Sequence, residues 1–378
     1  MSLSAAARDD AADPGPSPEA SPLVRWLWRA AVAFAGLLII CSVLPLLPVN
    51  WWWVRLGDYP RLQLLIGCLL AALAVAPFWR RKLARWLLVL LAGSCAIQLY
   101  WILPYLPIAP VEVQTARSNE KHEHIRIMTA NVLQKNTNAA AVLELVAREQ
   151  PDMLVLCEVN QRWIDDLAPL KQQFSYQLLH PLDNTYGMAF YCNLEVLHAE
   201  VREMVKEGIP SIDATIRLRS GHEVRVFAVH PNPPRPGEDT TKRDAELVLV
   251  GREVENSQTA IVLGDMNDVG WSRTTNLFQE VSGLLDPRKG RGMYSTFDAT
   301  SWIWRYPLDY LFHTDDFRVR ELRRLPKIGS DHFPLLVELS YEPDAEPEQE
   351  APDLDAGDQE DADEAVEKAE KKKAQGEL

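Results

Sequence analysis

What the sequence lacks narrows its class before any motif is read. Five cysteines in 378 residues are too scattered for a disulfide framework. Cys41, Cys68 and Cys95 lie in apolar runs and read as small buried hydrophobes, while Cys157 and Cys192 fall in predicted strands and read as two buried thiols rather than a bridge. A basic surplus is also missing. The formal net charge is −14, which argues against a dedicated binder of duplex DNA. That acidity is uneven: residues 1–120 carry 10 Lys/Arg and 7 Asp/Glu, residues 121–341 carry 25 and 31, and residues 342–378 carry 4 and 15. No internal repeat is present.

Acidic residues and lysine are absent from the interiors of three long apolar runs, at about Leu23–Leu47, Leu62–Trp79 and Leu83–Leu103. Each has the length a bilayer core demands, and stretches such as Leu87-Leu-Val-Leu-Leu-Ala92 offer no polar face. Residues 23–103 are therefore expected to form a three-helix transmembrane anchor. Arg25 and Arg29 precede the first run, and Arg80-Arg-Lys-Leu-Ala-Arg85 joins the second to the third. The loop between the first two holds Arg55 and Arg61 beside the interfacial cluster Trp51-Trp-Trp53. The positive-inside bias places the N-terminus and the Arg80–Arg85 loop in the cytoplasm. Three spans then put everything after Leu103 on the periplasmic or extracellular side of the cell (inner) membrane.

Residues 1–22, rich in Ala, Asp, Pro and Ser, are expected to be disordered, as is the acidic tail 342–378. Residues 104–121 read as a linker. From 122 to 341 strands and helices alternate. Strands are predicted at 125–131, 153–157, 176–180, 187–192, 194–201, 212–219, 223–229, 260–263, 308–313, 317–325 and 333–340. Helices are predicted at 138–149, 161–174, 239–254 and 272–282. Many strands with a few helices between them indicate an α/β or α+β sandwich.

Polar residues recur where these strands end. Ala260-Ile-Val-Leu263 reads as a buried strand, Gly264 lets the chain turn, and Asp265 and Asn267 follow. Asn131 ends the first strand, Glu158 follows the second, and His230 ends the strand 223–229. Asp309 sits in Pro307-Leu-Asp-Tyr-Leu-Phe312, and Ser330-Asp-His332 precedes the last strand. Converging on one rim, these side chains suit phosphate-ester hydrolysis, which needs charge neutralised on nonbridging oxygens, a held water and help for the leaving oxygen. Glu158 would bind Mg²⁺ or Mn²⁺ with Asp265 or Asp331, since oxygen donors favour a hard cation. Asp265 and Asn267 would orient and deprotonate the water. His332, oriented by Asp309, would serve as general base or phosphate clamp, and His230 and Asn131 would donate to the phosphate. His122 and His124 have no further ligand nearby and are not read as a metal site.

The ordered set Asn131, Pro151-Asp…Cys157-Glu158, Val229-His230, Gly264-Asp-Met-Asn267, Leu308-Asp309-Tyr310 and Ser330-Asp-His332 resembles the endonuclease/exonuclease/phosphatase superfamily over residues 121–341. Thr296-Phe297 fits the same pattern. The resemblance implies a four-layer αββα sandwich and a Mg²⁺-dependent phosphoesterase. It makes Glu158 the metal ligand, His332 with Asp309 the catalytic pair, Asp265 and Asn267 the handlers of the nucleophile, and His230 and Asn131 the phosphate contacts. Two positions depart from the DNA-repair members. Leu133 stands where they carry a charge, and Cys157 precedes the glutamate where they carry glutamine. Together with the anchor, this resembles the membrane-bound bacterial branch and favours lipid-linked phosphates or phosphodiesters. The alternatives are a metal-dependent nuclease acting on extracellular nucleic acid and a non-catalytic ligand-binding membrane protein.

Overall fold

The structure, a computed structural model, describes residues 21–255 and 257–376. The N-terminal segment expected to be disordered lies outside the described residues up to residue 20. Ser21 caps α1 (Pro22–Val43), its Oγ accepting from Val24 N at 3.4 Å. There follow α2 (Trp52–Arg55), α3 (Arg61–Val75) and α4 (Lys82–Ile102). With their flanking turns, Pro22–Leu46, Arg61–Phe78 and Lys82–Tyr105 are long and apolar enough to cross a membrane. Pro45, Pro77 and Pro104 stand in the turns that close these runs, where the missing N–H and the ring end the helical ladder. Ala31, Ala35, Cys68, Ala71 and Ala84 let the helices approach closely. Leu37, Ile40, Leu70, Leu73 and Val89 stay exposed on the outside, a surface suited to hydrocarbon.

The remainder is a sandwich of two sheets. Its elements are β1 (His124–Asn131), α5 (Ala139–Glu149), β2 (Met153–Cys157), α6 (Gln161–Asp166), β3 (Tyr176–His180), β4 (Met188–Cys192), β5 (Glu195–Arg202), β6 (Ser211–Arg217), β7 (Glu223–Val229), α7 (Thr241–Glu255), β8 (Ala260–Asp265), α8 (Arg273–Ser282), β9 (Asp309–His313), β10 (Phe317–Arg324), β11 (Leu335–Tyr341) and α9 (Ala356–Ala374). One sheet runs β10-β11-β1-β2-β4-β3 and the other β5-β6-β7-β8-β9. Ile127, Val155, Phe190, Val226 and Leu263 meet between the sheets. The alternate residues Met128, Leu154 and Leu156 point outward against Val142, Leu145 and Trp163 of α5 and α6. Phe227, Val262 and Phe312 do the same against Leu247, Val250 and Phe278 of α7 and α8. This is the four-layer αββα order. Strands buried on both faces explain why they read as unbroken apolar runs.

Three expectations need correction. The helix expected over 161–174 stops at Asp166 and resumes as a tighter 3₁₀ turn, Ala168–Gln172, because Pro169 cannot donate into the ladder. Residues 104–121 are no loose linker. Val319 N donates to Gln114 O at 3.0 Å, and Glu112 accepts from Asp286 N at 2.5 Å and Lys289 Nζ at 2.7 Å. The acidic tail is also structured within the described residues. α9 begins with a capping box at Asp355 and Asp358 and lays Ala362, Ala365, Val366 and Ala369 against α7 and α8. That spacing of i, i+3, i+4 and i+7 is one helical face. Arg252 meets Asp363 at 2.5 Å, Arg273 meets Asp361 at 2.6 Å, and Lys372 pairs with Asp239.

Cys157 and Cys192 are free and buried. They stand at opposite ends of the β2–β4 ladder, where Cys157 pairs with Met188 and Cys192 with Met153. Four residues of strand separate them by about 13 Å, beyond any disulfide.

Candidate active site

Strand direction alone gathers the site. β1 and β2 are parallel, with Asn131 opposite Cys157, so Asn131 ends beside Glu158. β7 and β8 are parallel, with Val229 opposite Gly264, so His230 and Asp265 emerge together. β9 returns antiparallel, with Asp309 opposite Asp265, and His332 lies just before β11, antiparallel to β1. Gly264 makes the close approach feasible. Its φ is +137°, and a Cβ there would sit 2.0 Å from Val229 O.

Asn131 is the hub. Its Nδ2 donates to Glu158 Oε1 at 2.9 Å and to Asp265 Oδ2 at 3.0 Å, while its Oδ1 accepts from Leu133 N at 2.9 Å. Glu158 Oε2 accepts from Gln134 N at 3.1 Å. His230 Nε2 and His332 Nε2 lie 3.7 and 3.6 Å from the same Asp265 Oδ2. His332 Nδ1 is 2.8 Å from Asp309 Oδ2, which fixes the ring's orientation, and Phe297 packs 5.0 Å from that ring. Asn267 N donates to Asp265 Oδ1 at 3.0 Å, and its Nδ2 donates to Pro231 O at 2.9 Å. Glu158 and Asn267 adopt positive φ, at 64° and 51°, a conformation uncommon for non-glycine residues.

Seven of the expected site residues are linked by these contacts on one rim, and Asp331 stands next to His332 without a direct bond to the other seven. Asp331 lies in the bend beside His332, accepts from Ser330 Oγ at 3.3 Å, and its carboxylate adds to the charge that favours the His332 cation. Other partners were not foreseen. Tyr59, just before α3, donates to Asn267 O at 2.7 Å, and Arg243 Nη1 donates to the same oxygen at 3.1 Å. Gln134 braces Glu158 through its backbone. No motif signals these contacts.

Burial opposes charge on His332, but the Asp309 and Asp265 carboxylates outweigh it and push its pKa up to about 10. The imidazole is therefore a cation and donor at neutral pH. Burial raises the Cys157 thiol well above its ordinary range, which leaves it inert.

Asp265, Asp309 and His332 each offer an atom within 4.8 Å of the others, a grouping able to hold a metal. The 2.8 Å bond between Asp309 and His332 commits those two to each other. Glu158 and Asp265, joined by the Asn131 amide, are carboxylates open to a cation, with Asp331 beside His332. This all-oxygen set fits a hard divalent ion. His230 turns Nε2 toward Asp265, and its Nδ1 is buried without a partner among the described residues.

Two apposed sheets bearing an asparagine, two acidic residues and a carboxylate-bound histidine on one rim define a metal-dependent phosphoesterase of the sandwich type. The profile of the Endonuclease/Exonuclease/phosphatase family matches residues 128–332, over half of the chain, and the chain belongs to that family. Solved structures of similar fold include TDP2 of D. rerio with a single-strand DNA product, at 15% identity over 57% of this chain and 99% of that one, TM-score 0.49. The human Nocturnin catalytic domain with bound sulfate matches at 18% identity over 58% and 95%, TM-score 0.48. An endonuclease/exonuclease/phosphatase from Beutenbergia cavernae matches at 18% identity over 58% and 72%, TM-score 0.47. No curated protein matches the chain.

Proposed function

We propose that this chain is a membrane-anchored hydrolase of phosphoric esters, dependent on Mg²⁺ or Mn²⁺, whose sandwich domain lies on the extracytoplasmic side of the inner membrane and acts on lipid-linked phosphates or phosphodiesters. The observation that carries the chemistry is the Asn131 amide shared between Glu158 and Asp265, with His230 and His332 converging on the same Asp265 oxygen. Glu158 and Asp265 would hold the cation, which would neutralise charge on the phosphate oxygens. Asp265, oriented by the Asn267 backbone, takes a proton from the attacking water as its oxygen bonds to phosphorus; the ester P–O electron pair leaves with the alcohol oxygen, which takes up that proton. His332, kept cationic by Asp309, donates to a nonbridging oxygen, and His230 and Asn131 steady the others.

The substrate class rests on placement. The Tyr59 contact to Asn267 ties the catalytic loop to the residues that open the second span. A soluble polymer would have to approach a rim crowded by the bilayer, whereas a lipid phosphate already lies at that depth. The test uses the full chain in nanodiscs with Mg²⁺ or with EDTA. Substrates are phosphatidic acid, a lipid diphosphate, an aryl phosphodiester and plasmid DNA. Mg²⁺-dependent release from a lipid, lost in Asp265→Ala by roughly 10²–10⁴-fold, is the expected result. Plasmid nicking in place of lipid turnover would overturn the substrate class, and silence throughout would overturn the hydrolase reading. An alkaline phosphatase reporter on the C-terminus should be active outside the cytoplasm.

A further inference from the structure

Residues 296–307 run from the catalytic histidine to the membrane anchor. The first part lies along the chain around His332: Phe333 N donates to Thr296 O at 2.9 Å and Ala299 N to Asp331 O at 2.7 Å. The tip then carries Trp302, Ile303 and Trp304, which are 90%, 67% and 54% exposed. Gln63, in the first turn of α3, donates from Nε2 to Ile303 O at 2.6 Å. On the return, Tyr306 packs edge-on against Tyr59 with ring centroids 5.4 Å apart. The exposed tip is thus fastened to a spanning helix where that helix enters the bilayer. Three large apolar side chains on one short loop are unfavourable in water. At a membrane interface the two indoles occupy the layer that tryptophan favours.

Beside the tip is an open groove of about 550 Å³, lined by Leu62 and Gln63 from the span and by Trp302, Arg305 and Arg324. Arg305 and Arg324 lie 5.2 and 4.4 Å from the ring of Phe333, the residue after His332. Arg305 Nε donates to Ser301 O at 2.6 Å, and Arg324 Nη1 to Ser295 O at 2.8 Å. Among the described residues no carboxylate pairs with either guanidinium, although both groups have further N–H donors. Arg323, on the same groove, is instead neutralised by Glu149 at 2.6 Å and by Glu321. Two uncompensated cations beside an exposed tryptophan, at the level where a span begins, match an anionic headgroup whose acyl chains continue into the bilayer.

We propose that this groove docks the phosphate headgroup of an anionic membrane lipid, with Trp302, Ile303 and Trp304 inserted among the headgroups. Arg305 and Arg324 hold the phosphate, and the loop carries it next to the rim at His332. The lipid's role as substrate rests on the hydrolase reading above; its docking does not require turnover.

The test is photocrosslinking on the full chain in nanodiscs, with Trp302→p-benzoylphenylalanine, in phosphatidylcholine with and without phosphatidic acid. Lipid adducts are expected in both bilayers. In the mixed bilayer phosphatidic acid should be enriched among the adducts beyond its share, and R305Q/R324Q should remove that enrichment. Absence of adducts, or enrichment indifferent to the two arginines, overturns the proposal. Loss of enrichment on adding inorganic phosphate at low millimolar concentration also overturns it, because the site would then select a free anion. In turnover, W302S/W304S and R305Q/R324Q should each lower the ratio of phosphatidic acid to aryl phosphodiester hydrolysis about tenfold, equivalent to about 1.4 kcal/mol. An unchanged ratio contradicts docking. Adducts without hydrolysis of any ester would leave docking standing and sink the hydrolase reading; hydrolysis without adducts would do the reverse.

Discussion

The Tyr59 hydroxyl donates to the Asn267 carbonyl at 2.7 Å, joining the segment between α1 and α3 to the turn that follows β8. Burial, reinforced by the Asp268 carboxylate, raises the Tyr59 pKa well above its ordinary value and keeps the group a donor. Trp271 Nε1 adds a bond to Asp58 O at 2.7 Å, and Tyr105 donates to Gly270 O at 2.7 Å. The apolar helical segment is therefore part of the scaffold that holds Asn267 at its positive φ. Tyr59→Phe keeps the ring and removes one bond, leaving Arg243 to hold the carbonyl. The expected loss in kcat is about three- to tenfold, from a hydrogen bond of about 1 kcal/mol, with KM little changed. Steady-state kinetics in nanodiscs checks this. A rise in KM at constant kcat would show that Tyr59 serves binding rather than loop geometry.

The His332–Asp309 pair makes a prediction about pH. With Asp309 ionised, His332 stays cationic up to about pH 10, so its donor function is present below that value and is lost as pH rises through it. Asp309→Asn preserves shape and deletes the charge. The histidine pKa should fall by roughly 1–3 units, and the basic limb of the kcat/KM profile should move down by the same amount. A profile that only drops in height, with its limb in place, would assign that limb to another group.

The strand-end residues were legible because their positions follow from local rules. An apolar run, a glycine and then Asp265 mark a strand ending in a turn, and parallel neighbours bring such ends together. The contacts made by Tyr59 and Arg243 were not legible, since nothing in a single sequence pairs residues so far apart. The tail misled for a different reason. Its charge count resembles a solvated segment, yet those charges occupy one side of a helix whose other side is the Ala362–Ala369 stripe.

That stripe can be broken. Ala362→Asp buries a carboxylate against Val248, Leu277 and Val281, where it has no partner. α9 should detach, and limited proteolysis within residues 350–374 should accelerate about tenfold or more, while the sandwich unfolds at nearly the same temperature. High salt should act in the same direction more weakly, because the exposed pairs Arg252–Asp363 and Arg273–Asp361 are open to screening. Equal cleavage of wild type and variant would mean that α9 is held by something other than this apolar face.

Glu246 lies buried in α7 with Ser211 Oγ 3.0 Å from its carboxyl, and burial pushes its pKa up to about 8. In the unfolded chain the group has its ordinary value of 4.5. Between those values the folded protein binds a proton that the unfolded chain does not, so stability falls as pH rises through this window. Below it the carboxyl is neutral in both states; above it the folded protein must carry a buried charge. The full cost reaches roughly 5 kcal/mol at about 1.4 kcal/mol per unit. Glu246→Gln keeps the shape without the titration. Its melting temperature should lie above that of the wild type at pH 9, converge with it as pH falls below the ordinary value of 4.5, and vary less between. Parallel melting curves at every pH would show that Glu246 does not change protonation on unfolding.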